Sequence, residues 1–200
     1  MKSLKTYIFI GRSGSGKGTQ AKLLEEALKK RDPSSPIFYH ETGQAFRKFI
    51  EGPLTYTQKK SKEIMEEGGL QPSFLAVLMW GNIFVEKIKG NEHIILDGTP
   101  RYLEEAKMLD SAFSFYGRTA EIIYVDISEE EAVRRLTLRG REDDKELSDI
   151  RERMRWFEAS VLSAIEYYKN HKEHKLFTIH GERETLEVHK DIVKQLGLEK

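Results

Sequence analysis

The sequence of 200 residues predicts an α/β protein with a central parallel five-stranded sheet and helices on both faces. Three observations lead there. Short β-branched or aromatic runs alternate with longer stretches of helical spacing. The first run, "TYIFI", and the third, "HIILD", are nearly continuous apolar segments, as strands covered on both faces are. A glycine cluster, "GRSGSGKGTQ" at 11–20, stands between the first run and the first helical stretch.

Strands are read at 6–10, 36–40, 93–97, 121–127 and 175–179. Helices are read at 17–30, 56–67, 73–89, 102–116, 129–138 and 147–169. Such alternation implies right-handed crossovers, with ligands held beyond the carboxyl ends of the strands. The stretch between the second and third strands is too long for one crossover helix and reads as a helical insertion. No repeat, low-complexity segment or linker longer than "RDPSSP" (31–36) separates a second domain, so one domain over 1–200 is expected.

Composition excludes several functions. Thirty-three basic residues balance 33 acidic ones, against a broadly basic surface for nucleic acid or membrane. Without cysteine there are no disulfides, thiolate metal sites or thiol catalysis. The apolar run in "MKSLKTYIFIG" is too short for a signal peptide or membrane span, so a cytoplasmic protein is expected. No exposed apolar stripe is evident either, and a monomer is expected.

The glycine cluster has a physical purpose. A glycine-rich turn between a buried strand and a helix lets backbone N–H groups point inward, and the helix start adds positive potential, so the turn cradles phosphates. Gly11, Gly16 and Lys17 satisfy G-x-x-x-x-G-K, but Gly18 follows and the hydroxyl comes one step later, at Thr19. Lys17 would reach the outer phosphates. Thr19 would hold Mg²⁺ directly or through water, and Asp97, at the end of "HIILD", supplies the acidic partner. Arg47, Arg101, Arg135, Arg139, Arg141 and Arg153 favour phosphoryl transfer between two bound phosphates over simple hydrolysis, because guanidinium groups can hold that much negative charge together.

At these residues the chain resembles the nucleoside monophosphate kinases of the adenylate kinase type, short-lid form. The resemblance runs from about Lys5 to Gln195 and is carried by "GRSGSGKGTQAKLL", "ETGQAFR", "LDGTPRYLEEA", "YVDISEEEAVRRLTLRGREDD" and "IRERMRWFE" followed by "YY". It implies a three-layer P-loop kinase fold, ATP as donor and Mg²⁺ as cofactor. By that resemblance Gly14, Ser15, Gly16, Lys17, Gly18, Thr19, Arg135 and Arg139 bind ATP. Thr42, Gly43, Arg47, Gly69, Leu70, Gln71, Gly98, Arg101, Glu105, Arg141 and Arg153 bind the acceptor monophosphate. Lys17, Arg101, Arg139, Arg141 and Arg153 serve the transfer itself. The same resemblance implies a monophosphate-binding insertion at about 41–72 and a very short lid at about 139–145, since only Gly140 separates Arg139 from Arg141.

Glu105 stands where adenylate kinases carry glutamine. An ionised carboxylate only accepts hydrogen bonds, so it suits the N6 amino group of adenine but not N1. AMP is the expected acceptor, with UMP, CMP or GMP as alternatives; a catalytically weak nucleotide-binding protein is the alternative from another class. Trp80 and Trp156 are expected to be packing residues. His93, His171, His174, His180 and His189 show no ligand-like spacing.

Overall fold

A computed structural model describes residues 4–140 and 146–199. Five strands, β1 (Thr6–Ile10), β2 (Ile37–Glu41), β3 (His93–Asp97), β4 (Ala120–Asp126) and β5 (Lys175–His180), form one all-parallel sheet in the order β2-β3-β1-β4-β5. The predicted strands are all present, shifted by no more than a residue at any end.

The alternation of side chains along the strands sorts the core into two layers. Ile8 and Ile10 of β1 join Ile94, Leu96 and Ile122 on one face, beneath α4 (Ser73–Lys87) and α5 (Leu103–Phe115). Tyr7 and Phe9 point the other way, onto Ala21, Leu24 and Leu28 of α1 (Lys17–Arg31) and Val188 and Ile192 of α9 (Thr185–Gln195). All five residues of β1 are buried, as the unbroken apolar run requires.

Local chemistry sets the helix ends. The Thr55 hydroxyl accepts from the N–H of Gln58 while the Gln58 side chain accepts from the N–H of Thr55, a reciprocal cap that starts α3 (Tyr56–Glu66). Ser128 caps α6 (Glu129–Arg139), whose first turn holds Glu129, Glu130 and Glu131 against the positive end of the helix dipole.

Two helices lie where the periodicity singles out none. One is α2 (Thr42–Phe49), within the insertion, and the other is α9. Each buries only two residues, too few to print a pattern. The helix expected over 147–169 is divided: α7 (Leu147–Trp156) passes through one π-turn at Phe157–Val161 into α8 (Leu162–Lys169). That turn shifts the phase so that Phe157, Val161, Ala164 and Tyr168 reach the sheet. It leaves the face of α7 free to look elsewhere.

An exposed apolar stripe does occur. Phe74, Leu78 and Val85 are exposed on one side of α4, at spacings of four and seven residues. Helix α4 is apolar on every side. One side packs on the sheet through Trp80 and Phe84, another on Phe46 through Leu75 and Ala76, and the third stays open. Among the described residues no helix is long and apolar enough to cross a membrane.

Candidate active site

The carboxyl ends of β1, β2 and β3 converge on a cleft of about 460 Å³. Its first wall is the turn from β1 into α1, where Gly14, Gly16, Lys17, Gly18 and Thr19 line the space and Lys17 opens the helix. The Lys17 ammonium donates to the carbonyl of Arg12 at 3.2 Å. Enclosure pushes its pKa down to about 8, opposed by the charge of Asp97 and assisted by Arg101, Arg139 and Arg153.

Asp97 ends β3 beside Phe9 of β1 and Glu41 of β2. It is buried, its Oδ2 accepts from the Tyr39 hydroxyl at 3.1 Å, and burial raises its pKa against the pull of Lys17. This carboxylate explains Gly18: a Cβ there would lie 2.9 Å from Asp97 Oδ2. The residue after the lysine has to be glycine so that the strand-end carboxylate can come close.

The second wall is α2 with the turn after α3. Gly43, Arg47, Gly69 and Gln71 line it, together with Phe46, Met65 and Gly68. Arg47 donates to Glu41 at 2.8 Å. The Gln71 amide is committed to Ser61, accepting from its hydroxyl at 2.9 Å and donating to its carbonyl at 2.8 Å. Thr42 is buried at the start of α2, and its hydroxyl finds no partner among the described residues. An orphan hydroxyl of this kind costs free energy unless something else satisfies it.

Asp97, Gly98, Arg101, Arg135, Arg139 and Arg153 complete the lining. Arg101 donates from Nε to the carbonyl of Gly98 at 2.9 Å. Arg135 is fixed by Glu131 at 2.6 Å and by the carbonyl of Gly181 at 2.9 Å. Most of the predicted site therefore gathers in one place. Ser15, Thr42 and Glu105 are buried behind the lining, and Leu70 is not part of it. Arg141 and most of the 139–145 lid lie outside the described residues.

Glu105 faces away from the cleft. It is wholly buried, and its carboxylate accepts from the Thr99 hydroxyl and from the N–H of Arg101, the latter at 2.6 Å. Burial raises its pKa, against those two hydrogen bonds. Both oxygens are engaged by the backbone turn that carries Arg101. Trp156, by contrast, is more than a packing residue, because its ring lines the cleft and stacks on Arg101. Trp80 is in the core.

Folding also brings together two histidines that their spacing does not suggest as partners. His171 and His174, just ahead of β5 at the amino end of the sheet, both face Asp110, with Nε2 atoms at 3.1 and 2.9 Å from its oxygens. Their Nδ1 atoms accept backbone N–H groups, from Ala120 to His174 and from Glu173 and His174 to His171. Each Nε2 in that arrangement carries the hydrogen and donates to Asp110, so neither offers a lone pair to a metal. The cluster is a hydrogen-bonded tie between α5 and the turn into β5.

A cleft this rich in cations at the carboxyl edge of a parallel sheet, with a phosphate-cradling turn at one side, defines a phosphate-loop kinase. The adenylate kinase family profile matches residues 9–173. The chain is 35% identical over 167 residues to an adenylate kinase of Prochlorococcus marinus strain MIT 9515, covering 83% of this chain and 85% of the relative. Identity is 31% over 192 residues to an adenylate kinase of Azobacteroides pseudotrichonymphae, covering 94% of each. It is also 31% to one of Thermosipho africanus, over 93% of this chain and 96% of the relative. The chain belongs to the adenylate kinase family and is an ATP-dependent phosphotransferase.

Proposed function

We propose that the protein transfers the γ-phosphoryl group of ATP to AMP, forming two molecules of ADP. The observation that carries this reading is the two-sided cleft: a phosphate turn on one wall, the Arg47 helix on the other, and Arg101, Arg139 and Arg153 in the same lining. Gly14, Ser15, Gly16, Lys17, Gly18 and Thr19 hold the donor phosphates, and Arg135 lies against the donor base. Thr42, Gly43 and Arg47, the backbone of Gly69, Leu70 and Gln71, and Gly98 hold the acceptor. The orphan hydroxyl of Thr42 gains a partner when the acceptor arrives.

An oxygen of the acceptor phosphate attacks the γ-phosphorus in line, and the bond to the β–γ bridging oxygen breaks, releasing ADP. Lys17, Arg101, Arg139, Arg153 and Arg141 lower the repulsion between the two phosphate groups and offset charge at the transferring group. No side chain needs to form a covalent intermediate. Thr19 and Asp97 suit Mg²⁺, because both offer hard oxygen donors and both line the cleft. When bound, the ion would supply further charge neutralisation at the phosphates.

One chain supplies every group named here, so a monomer suffices. The balanced charge supports small-molecule substrates over nucleic acid or membrane, and we place the protein in the cytoplasm. Initial rates of ADP formation with ATP, Mg²⁺ and each of AMP, CMP, UMP and GMP test the reading, beside a control without acceptor. AMP should exceed the others at least tenfold. Equal phosphate release without acceptor, or preference for another base, would overturn it.

A further inference from the structure

Helix α7 presents Asp149, Arg153 and Trp156 at spacings of four and three residues, hence on one face. Each meets a different part of the site. Asp149 lies against Gly68, the turn that ends α3: a Cβ at Gly68, whose φ is 67°, would sit 2.6 Å from the Asp149 carbonyl oxygen. Arg153 lines the cleft. Trp156 bridges two elements at once. Its indole N–H donates to the carbonyl of Gly68 at 3.1 Å, and the Arg101 guanidinium stands 5.5 Å from the centre of its ring.

The position of Trp156 depends on the π-turn that begins at the next residue. Before the turn, Arg153 and Trp156 line the cleft while Ile150 and Met154 pack on α6; from Phe157 onward the helix packs on the sheet. Single π-turns inside helices occur often at functional sites. Here the turn allows one continuous helix to serve both surfaces.

We propose that Trp156 is a positioning residue that sets acceptor affinity and the aim of Arg101. Its N–H latches the Gly68 turn onto the helix that carries Arg153, fixing the distance between the acceptor wall and the transfer arginines. Its ring stands against the Arg101 guanidinium, whose Nε is tied to the Gly98 carbonyl just past the end of β3. The inference rests on the reading that the acceptor monophosphate lies between α2 and the turn at 68–71. The predicted role is separable from packing, because the two contacts can be removed one after the other.

The test compares wild type, Trp156→Phe and Trp156→Leu for kcat, KM for AMP, KM for ATP and melting temperature. Phenylalanine keeps a ring beside Arg101 and loses the donor. It should raise KM for AMP about fivefold, with kcat and KM for ATP within twofold. Leucine loses both contacts and should lower kcat about a further fivefold to tenfold. The tryptophan emission change on adding AMP should vanish in Trp156→Phe, which retains Trp80. Unchanged KM for AMP in both variants overturns the proposal. So does a rise in both KM values together with a fall in melting temperature in Trp156→Phe, the result of a packing role alone. If wild type fails to turn over AMP, the functional reading itself falls and this inference with it; wild-type turnover with unmoved variants sinks only the latch.

Discussion

The glycine-turn wall of the cleft, which we propose holds the donor, rests directly on the central sheet, whereas the wall of α2 and the turn after α3, which we propose holds the acceptor, is a helical excursion that meets the rest of the molecule through a small apolar cluster and one latched turn. Beneath the first lie Tyr7, Phe9, Ala21, Leu24, Ile95, Ile123 and Val125, all buried. Beneath the second, the buried apolar cluster among the described residues is Phe46, Leu75 and Ala76, with Phe49, Met65 and Met79 partly buried. The contrast assigns different work to the two sides. A phosphate turn is useful when it is preorganised, because its dipoles then cost no reorganisation at the moment of transfer. On the proposed function, an acceptor wall with few apolar contacts would open at low cost, letting the monophosphate enter and the product leave.

That difference can be broken from either side. The largest expected effect is on the donor wall: Lys17→Ala should lower kcat by about a thousandfold, since a preorganised charge at the transferring group is lost while the fold remains. Thermal melting of the same variant should show a folded protein. On the acceptor wall, Arg47→Ala should instead raise KM for AMP by roughly ten- to a hundredfold, leaving kcat and KM for ATP within a few fold, read from initial rates with each substrate varied.

Stability should divide along the same line. Phe9→Ala removes a fully buried ring from the sheet core and should cost about 3–5 kcal/mol of global stability in denaturant unfolding. Phe46→Ala should cost less globally, while amide exchange of α2 and α3 speeds up selectively. An equal global loss in both variants would show that the insertion unfolds only with the core.

A pH effect sharpens the comparison at the edge strand. His40 on β2 is buried, and burial pushes its pKa down to about 4. The unfolded chain takes up a proton near pH 6.5 while the folded chain resists until about pH 4, so stability present above pH 6.5 is lost as pH falls through that window. Between pH 6.5 and 5 the loss should be about 2 kcal/mol, and His40→Phe should flatten that part of the pH–stability profile.

The smallest effect belongs to Glu105. Because its carboxylate is occupied by the Thr99 hydroxyl and the Arg101 N–H, Glu105→Gln should change the AMP-to-CMP preference less than threefold. It should lower the melting temperature, since the amide nitrogen would meet a donor.

Much of this was legible in the sequence, for local reasons. The glycine turn and the fully buried β1 and β3 declare themselves because each is set by a few consecutive residues. Asp97 could be placed at the sheet edge because a strand ends there. The arginines could be counted but not aimed. Which of them meet depends on strand order and on the phase of α7, and a π-turn is not written in hydrophobic spacing. Trp156 was hidden for that reason. Glu105 is a different case: the family resemblance implies a group at the acceptor base, and only the folded turn shows both of its oxygens engaged by Thr99 and Arg101. The open side of α4 was equally invisible, since an all-apolar helix reads as buried throughout.

Direct transfer between two nucleotides in one cleft is the central claim, and the stereochemistry at phosphorus tests it most directly. ATP whose γ-phosphoryl group is made chiral with oxygen isotopes would be turned over with AMP and the configuration of the transferred group read in the ADP formed. A single in-line transfer predicts inversion. Retention would require an intermediate on the protein and would contradict the account.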